Sequence, residues 1–358
     1  MDLKNNLNPY LLIVDGNSLL ATSYYGILPV PLRNAKLTET EAQKHYSEIL
    51  QTKDGLYTNA IFGFMNTLMG ILQNQRPKYI VVNWDASRNT FRKQMYPEYK
   101  GNRGDTPEPL KQQQETIRKI MTFIGIKQFM SDQFEADDFS GSLARKYENQ
   151  IPVRILTKDR DHLQLVDERV NIWLTFPVDK DGKCSQVDTL NQKFGIDVTK
   201  LNVPMNVFRV TKDLVKPYYG AEASQIVDLK GLMGDTADNI PGVKGIGEKT
   251  AAILLEKLKS IDELYYYIAT NDDADILEDF KDWHIRAGNK VLENLTAKST
   301  TELVGEEAAK MSRNLARIYT DINLSNIPLS TFEQNIDEKK LYASLKRLEF
   351  QKIMDEYF

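Results

Sequence analysis

Short apolar runs alternate with segments of helical periodicity along the first half of the chain. Consecutive apolar residues at 10–14, 79–83, 153–157 and 170–175 predict β-strands. Apolar residues spaced three and four positions apart predict helices at 17–24, 60–72, 110–125 and 136–147. Continuous apolar strands separated by helices are typical of a parallel sheet that is covered on both faces. We therefore expect an α/β domain with a central, mostly parallel sheet.

After about residue 225 the pattern becomes helical throughout. It predicts helices at 223–233, 248–258, 261–268, 275–295 and 312–319, which would form a smaller helical domain. Residues 28–57 and 177–222 carry Gly, Pro and polar residues with weak periodicity, so we predict loops or insertions there. Helical spacing returns at 337–358, where Leu341, Leu345, Leu348 and Ile353 predict a segment that either docks on the body or serves as a linker.

Carboxylates recur where the predicted strands end and where a predicted helix begins. There are nine of them: Asp15, Asp85, Glu135, Asp137, Asp138, Asp159, Asp161, Asp235 and Asp238. The carboxyl ends of parallel strands meet at one edge of a sheet, so these acids should lie close together. Crowded carboxylates repel each other unless a cation lies between them, and Mg²⁺ prefers oxygen ligands. The sequence predicts a metal-dependent site for phosphate chemistry, although any single Asp-x-Asp pair could be a solvated turn.

Composition limits the function classes. The chain has 358 residues, one cysteine (Cys184) and three histidines (His45, His162 and His284). A disulfide framework and a Cys-rich zinc site are excluded, and the scattered histidines argue against a His-based metal site. No apolar stretch predicts a membrane span or a signal peptide, so we expect a cytoplasmic protein. The formal charge is −4, but without the nine carboxylates 41 acids remain against 46 bases, a balance compatible with DNA or RNA.

Two segments have the composition of nucleic-acid contacts. The Gly-rich run 242–251 predicts a helix–hairpin–helix turn, in which the backbone approaches a phosphate closely and Lys244 and Lys249 add charge. The stretch 88–103 mixes bases with aromatic residues directly after Asp85, which suits a channel for single strands. The alternatives are an ordinary Gly-rich turn and a charged surface loop. We interpret His162 and Cys184 as structural, and Trp84, Trp173 and Trp283 as core residues.

Taken together, the motifs resemble those of the 5′-nuclease family, which comprises flap endonucleases, phage 5′-exonucleases and the 5′–3′ exonuclease domain of bacterial DNA polymerase I. The last is the most similar. The resemblance covers 11–250 and is carried by Leu12-Ile13-Val14-Asp15-Gly16-Asn17, Asp85-Ala86, Phe91-Arg92, Tyr99-Lys100-Gly101-x-Arg103, Glu135-Ala136-Asp137-Asp138, Thr157-x-Asp159-x-Asp161 and Gly234-Asp235-x-x-Asp238-Asn239-x-Pro241-Gly242-Val243-x-Gly245-Ile246-Gly247.

This resemblance implies a PIN-like α/β domain at 1–222 with a helical arch at about 88–133. It also implies an all-helical helix-three-turn-helix DNA-binding domain at 223–325 and a tail, 326–358, similar to the polymerase I linker. It implies two divalent ions, Mg²⁺ or Mn²⁺. One would be held by Asp15, Asp85, Glu135, Asp137 and Asp138, and the other by Asp159, Asp161, Asp235 and Asp238. Lys100, Arg103 and Arg92 would steer the phosphate. The hairpin could also hold K⁺.

The predicted contacts to DNA are Lys93, Tyr96, Tyr99, Gly242, Lys244, Gly245, Gly247, Lys249 and Thr250. We expect a monomer that acts on 5′ ends, flaps or nicks of DNA, on RNA primers in RNA–DNA hybrids as well, and works beside a DNA polymerase. No polymerase follows residue 358, which predicts a free-standing nuclease. The segments 28–57 and 177–222 are longer than their family counterparts, and Asn83-Trp84 departs from the usual residues before the acid.

Three other functions stay open at this point. A catalytically silent scaffold of the same fold would keep the DNA contacts without the chemistry. A PIN-type RNase would use the same acids on RNA. A base-excision glycosylase would use the same hairpin, but it needs a catalytic Lys or Asp just after the hairpin and gives no reason for the distant carboxylates.

Overall fold

The computed structural model describes residue 3 and residues 5–33, 37–179 and 183–358. Within them one mixed sheet forms the centre of the molecule, in the strand order β3-β2-β1-β4-β5-β6. The strands are β1 Asn8–Asp15, β2 Pro77–Asn83, β3 Lys127–Phe129, β4 Val153–Thr157, β5 Val170–Thr175 and β6 Val207–Val210. Neighbouring strands are parallel except β5 and β6, which pair antiparallel.

Helices cover both faces of the sheet and then form a separate lobe. In the α/β body they are α1 Gly16–Gly26, α2 Glu39–Gln43, α3 Asn59–Asn74, α4 Phe91–Met95, α5 Glu108–Ile124, α6 Ala136–Tyr147, α7 Ser185–Lys193 and α8 Lys212–Tyr219. In the lobe they are α9 Ile226–Met233, α10 Glu248–Leu258, α11 Ile261–Thr270, α12 Asp273–Asp282, α13 Gly288–Thr296 and α14 Gly305–Ala316. The last two are α15 Glu338–Arg347 and α16 Gln351–Tyr357.

The alternation of side chains along β1 divides the core into two layers. Leu12 and Val14 pack on the face covered by α1, α3 and α5, whereas Leu11 and Ile13 pack on the face covered by α6. Because β1 is buried on both faces, its sequence is continuously apolar up to Asp15. The central strand therefore delivers a carboxylate at the point where the apolar core ends.

The chain returns to the α/β body after the helical lobe. Leu341 and Leu345 on α15, with Ile353 on α16, are fully buried in the same cluster as Leu12 and Val14. The backbone amide of Gln334 donates to the carbonyl of Lys78 at 2.9 Å, and its side chain donates to the carbonyl of Leu3 at 2.9 Å. The segment 337–358 thus docks on the α/β body through these side chains, one of the two arrangements predicted for it.

Several predictions of secondary structure were wrong. Residues 177–222, predicted as loops or insertions, contain α7, β6 and α8. The short apolar run at Val207–Val210 forms an antiparallel strand at the edge of the sheet. Residues 28–57 contain α2; positions 34–36 and 180–182 lie outside the described residues. The predicted helix 275–295 is interrupted, since His284 and Ala287 have φ angles of +60° and +53°. The helix predicted at 312–319 begins at Gly305 and ends at Ala316.

The predicted arch range 88–133 divides into two parts. The turns after α4 contact the predicted acids through Lys100 and Arg103, whereas Ile117, Met121 and Ile124 of α5 are buried in the body. None of the described helices has the length and apolar content needed to cross a lipid bilayer.

Candidate metal centre and nucleic-acid interface

The strand ends bring the first acids together. Asp15 ends β1; one of its oxygens accepts from the Ser18 amide at 2.9 Å and the other from the Thr157 hydroxyl at 2.7 Å. Asp85 follows β2 and accepts from the Ala136 amide at 2.7 Å and from the Asn17 side chain at 2.8 Å. The bond from Ala136 holds Asp85 at the N-terminus of α6, where the unpaired amides favour negative charge, and the bonds from Ser18 and Thr157 hold Asp15 between α1 and β4.

The start of α6 contributes three acids with different surroundings. Glu135 is buried, and the Lys100 ammonium donates to its carboxylate at 2.9 Å. Asp137 is half-buried, and Asp15, Asp159 and Asp85 act on it electrostatically. Asp138, in contrast, is fully buried behind this group. Asp138 was predicted to hold a metal ion, but both of its oxygens accept from Arg92.

Arg92 explains the position of Asp138. The Arg92 guanidinium is 2% exposed and donates to both oxygens of Asp138, at 2.8 and 2.6 Å. It also donates to the backbone carbonyls of Leu315 and Arg317, at 3.0 and 2.7 Å. Arg92 was predicted to steer a phosphate, but its guanidinium N–H groups donate to these protein acceptors instead. It ties α4 and α6 to the end of α14.

Asp161 and Asp235 are joined by a lysine that the sequence analysis did not single out. The Lys230 ammonium donates to Asp161 and, at 2.6 Å, to Asp235. The Lys230 side chain is 5% exposed, on α9 in the helical lobe. Although burial alone would lower the pKa of Lys230, Asp161 and Asp235 raise it above its ordinary value. A buried cation therefore stands where the resemblance implies a metal ion.

The segment after α4 lies over the remaining acids. Its Lys100 ammonium is 3.8 Å from Asp238, and Arg103 donates to the same carboxylate. The backbone supports this docking, since the Lys100 amide donates to the carbonyl of Asp238 at 2.8 Å and Asn102 donates to that of Thr236 at 2.6 Å. Lys100 adopts a φ of +53°, which turns the chain back toward the acidic cluster.

Tyr99 and Tyr96 are less available to nucleic acid than the sequence suggested. Tyr99 is 3% exposed, and its hydroxyl lies 3.3 Å from Glu135 and 3.4 Å from Asp238. It was predicted to contact DNA, but its ring is enclosed by protein. Tyr96 is half-buried and donates to Glu98 at 3.0 Å, and Lys93 is half-buried on α4.

Crowding shifts the acids in opposite directions. Burial raises the pKa of Asp85 to about 6, with Glu135 and Asp15 adding to the effect. Burial and Asp159 raise the pKa of Asp161 to about 7, and burial with Asp15 raises that of Asp137 well above its usual range. Burial would also raise the pKa of Glu135, but Lys100 and Arg92 hold it below its ordinary value. The acids of this cluster therefore lose their protons over a wide range of pH, and Asp161 keeps a raised pKa even though it lies beside Lys230.

This donor set fits a divalent cation. Carboxylates whose pKa is raised by desolvation and neighbouring charge gain stability from an ion placed between them. The fully buried His162 points to the same conclusion: its Nε2 lies 3.4 Å from Asp137, and neither ring nitrogen has a hydrogen-bond partner among the described residues. One ligand atom from each of Asp15, Asp137 and His162 lies within 4.8 Å of the others. The sequence analysis interpreted His162 as structural and did not include it among the candidate ligands.

The Gly-rich run forms a tight set of turns between α9 and α10. Gly242 has a φ of +64°, and a Cβ there would lie 2.3 Å from the Gly234 nitrogen. The Gly242 amide donates to the Ser312 hydroxyl at 2.9 Å, which ties the turn to α14. Gly245, Gly247, Lys244 and Lys249 are exposed and Thr250 is half-exposed at the start of α10. The turn therefore presents backbone and two ammonium groups to the solvent.

Two family models match the chain. The model of the 5′–3′ exonuclease N-terminal resolvase-like domain matches residues 10–195, and that of the 5′–3′ exonuclease C-terminal SAM fold matches residues 221–340. The chain belongs to the 5′–3′ exonuclease family. This confirms the family and the α/β-plus-helical fold that the sequence motifs predicted.

Relatives with curated names agree with this family. The chain is 31% identical to DNA polymerase I of Bacillus subtilis over 96% of its own length, and it spans about a third (32%) of that polymerase. It is 33% identical to DNA polymerase I of Caldicellulosiruptor bescii, of which it covers 33%. A 5′–3′ exonuclease of Aquifex aeolicus is 28% identical and is covered over 94% of its length.

Solved structures support the fold. A bacteriophage T5 5′-exonuclease with bound divalent zinc ions matches with a TM-score of 0.54 at 16% identity, covering 94% of this chain and 98% of that one. A T5 flap endonuclease in complex with DNA and metal ions matches with a TM-score of 0.54 at 16% identity, covering 95% of this chain and 99% of that one.

Proposed function

We propose that this protein is a structure-specific 5′-nuclease that hydrolyses phosphodiester bonds of DNA near 5′ ends, flaps or nicks. The observation that carries the proposal is the meeting of acids from separate parts of the chain at one sheet edge, where Lys100, Arg103 and Lys230 neutralise some of them. Bare carboxylates would repel a phosphodiester, so a substrate can approach only when cations lie between the two.

We propose the following ligands for two divalent ions, Mg²⁺ or Mn²⁺. One ion would be held by Asp15, Asp85, Glu135 and Asp137, and the other by Asp159, Asp161, Asp235 and Asp238. Bound there, such ions supply activation of the attacking water and neutralisation of charge on the departing oxygen. We assign Asp138 a positioning role, because Arg92 takes both of its oxygens and its Oδ2 accepts from the Glu135 amide at 3.0 Å.

Lys100 and Arg103 are the bases that we propose for the scissile phosphate. Both lie on the segment that covers the acids, and their present partners are Glu135 and Asp238. When those carboxylates bind cations, the two bases become available for an anionic ligand. Their fixed positions would then stabilise charge that develops on the phosphate during cleavage.

The turn at 242–247 is proposed to hold the duplex. Its exposed Lys244 and Lys249 would neutralise phosphates without reading bases, and the backbone carbonyls of 242–247 are the proposed K⁺ ligands. RNA–DNA hybrids are proposed as further substrates. We also propose that the protein is a monomer, since one chain supplies every group named here. We propose the cytoplasm as its location and a DNA polymerase as its partner.

The test is cleavage of 5′-labelled flap, nicked and single-stranded DNA, with Mg²⁺ or Mn²⁺ and with a chelator. We expect cleavage of flap and nicked substrates that disappears in the chelator. A protein that binds these substrates but leaves them intact under all metal conditions would be the catalytically silent scaffold. Cleavage of RNA alone would favour the PIN-type RNase.

The Asp85→Asn variant tests the acids themselves. It removes one charge but keeps the shape, so we expect cleavage to fall at least about a hundredfold, with DNA affinity changed by less than about threefold. Metal-free Asp85→Asn should also melt at a higher temperature, because repulsion among the acids is reduced. Asp54→Asn, an exposed acid paired with Arg347, is the matched control and should cleave normally. Near-normal cleavage by Asp85→Asn would contradict the assignment.

A further inference from the structure

His162 lies inside the acidic cluster, where its ring contacts Asp137 but forms no hydrogen bond with a described residue. It is on the 3₁₀ turn Arg160–Leu165, directly after Asp161, and its side chain is fully buried. Both ring nitrogens are buried, and neither forms a hydrogen bond with a described residue. Buried polar groups are normally satisfied, so this ring calls for a ligand.

The neighbours of the ring indicate what kind of ligand. Its Nε2 lies 3.4 Å from Oδ1 of Asp137, and the ligand atoms of Asp15, Asp137 and His162 lie within 4.8 Å of one another. Two ligand bonds of about 2.1 Å span about 4 Å across a bound ion. Small side-chain rotations would therefore bring the two carboxylates and the imidazole onto one cation.

We propose that His162 supplies a nitrogen ligand to the divalent ion held by Asp15 and Asp137, and that this ligand shifts the preference of the site from Mg²⁺ toward Mn²⁺ and Co²⁺. The proposal rests on the proposed function only in requiring that the acidic cluster binds a divalent ion. Mg²⁺ takes oxygen ligands, whereas imidazole favours transition ions, in the order Mn²⁺ below Co²⁺.

The scattered histidines argued against a site built from several imidazoles. His45 lies elsewhere on the surface and is paired with Glu48. Scattered histidines do not exclude a single imidazole that joins carboxylates. The fold places His162 there because β4 ends at Thr157 and the following turn returns its side chain beneath the start of α6.

A different role for His162 makes the opposite prediction. If the ring carried a proton, it would be a cation close to Asp15 and Asp159 and would neutralise part of their charge. Removing it would then strengthen binding of every divalent ion. If the ring is a ligand, removing it weakens transition ions selectively. The sign of the change therefore decides between the two roles.

The experiment compares full-length wild type with His162→Leu and His162→Gln by calorimetric titration with Mg²⁺, Mn²⁺ and Co²⁺, without DNA. Loss of a residue that only supports a metal ligand typically weakens affinity about 10- to 100-fold, so we expect at least about a tenfold loss for Co²⁺ and Mn²⁺. Mg²⁺ affinity should change by less than about threefold. His45→Gln, the exposed control, should leave all three affinities unchanged.

One readout does not depend on folding of the variants. Electron spin echo spectra of Mn²⁺ bound to the wild-type protein should carry a nitrogen coupling from an imidazole, and His45→Gln should retain it. Absence of that coupling would overturn the proposal, as would equal losses for all three ions or tighter binding by His162→Leu. Circular dichroism in chelator establishes which variants are folded.

The proposal and the proposed function fail in different ways. If the protein binds Co²⁺ through a nitrogen ligand but cleaves no flap or nicked substrate, the nuclease proposal fails and the role of His162 stands. If the wild type cleaves flaps and His162→Leu keeps its Co²⁺ affinity, only the role of His162 fails.

Discussion

Lys230 places a positive charge of the protein itself among the acids of the predicted metal site. Its ammonium lies between Asp161 and Asp235, two acids that come from the α/β body and the helical lobe. A divalent ion bound between these acids would have to displace the ammonium. In the metal-free protein, Lys230 thus joins the α/β body to the helical lobe at this point. In the metal-bound protein, the ion would take over this role.

Lys230→Met should destabilise the metal-free protein by about 3 kcal/mol, because removing one member of a buried ion pair leaves its partners without a counter-charge. Divalent ions should restore most of the loss. Urea unfolding in chelator and in Mn²⁺ measures both effects. Lys212→Met removes a lysine from exposed pairs with Asp167 and Glu168, and should change little. Equal stability of Lys230→Met and wild type in chelator would contradict the role.

Single residues divide into those the sequence could reveal and those it could not. Asp15 and Asp159 are recognisable because each follows an apolar strand, and the strand fixes where the side chain emerges. Lys230 gives no such signal, since it resembles any lysine on a helix. Its role depends on how α9 docks on the body. The same is true of Arg92, whose partners include a carbonyl 223 positions away.

At the scale of elements, the turn between α9 and α10 depends on glycines for different reasons. Gly242 has a positive φ and no room for a Cβ, whereas Gly247 has a φ of −95° and open space around it. Gly242→Ala should lower stability by more than about 1 kcal/mol. Gly247→Ala should be stable but bind duplex DNA more weakly, if a phosphate approaches this backbone. Thermal melts and binding titrations separate the two, and a stable Gly242→Ala would contradict the first expectation.

The lysines of the same turn allow a count of phosphate contacts. Lys244 and Lys249 are both exposed. Replacing both by Gln should reduce the slope of log affinity against log salt by about 2 and weaken binding equally for different sequences. Fluorescence anisotropy across a salt series measures the slope. Lys200→Gln, which changes an exposed lysine paired with Asp197, is the control; an unchanged slope in the double variant would exclude the contact.

Elements were predictable where local pattern and packing agree. The helix 136–147 and the strands 153–157 and 170–175 match the structure because each has a full apolar face or run. The strand β6 was missed because it has four residues and pairs at the sheet edge. The break between α12 and α13 depends on left-handed backbone at His284 and Ala287, which neither residue type indicates.

At the scale of the whole molecule, the acidic cluster should make stability depend on pH. Burial, with neighbouring carboxylates, raises the pKa of Asp85 to about 6 and that of Asp161 to about 7. The folded protein therefore holds protons that the unfolded chain releases at about pH 4, so the contribution of these groups falls as pH rises from about 4 to 7. For Asp235, burial is outweighed by Lys230, which lowers the pKa; its contribution is lost only at lower pH.

Metal-free protein should consequently melt at a lower temperature at about pH 8 than at about pH 5.5. Bound ions require ionised carboxylates, so the gain in melting temperature from Mn²⁺ should increase over the same range. Differential scanning fluorimetry with chelator and with Mn²⁺ measures both. Asp85→Asn should flatten the pH dependence, and a metal effect independent of pH would contradict this account.

The path of the chain through its core has a consequence for synthesis in the cell. The layer around Leu12 and Val14 is completed by Leu341, Leu345 and Ile353, more than three hundred positions later. A nascent chain on the ribosome can form the helical lobe early, but its first strand must wait for α15 and α16 to emerge. Until then the unfinished sheet exposes apolar surface, and chaperones that bind such surface should engage this protein late in translation.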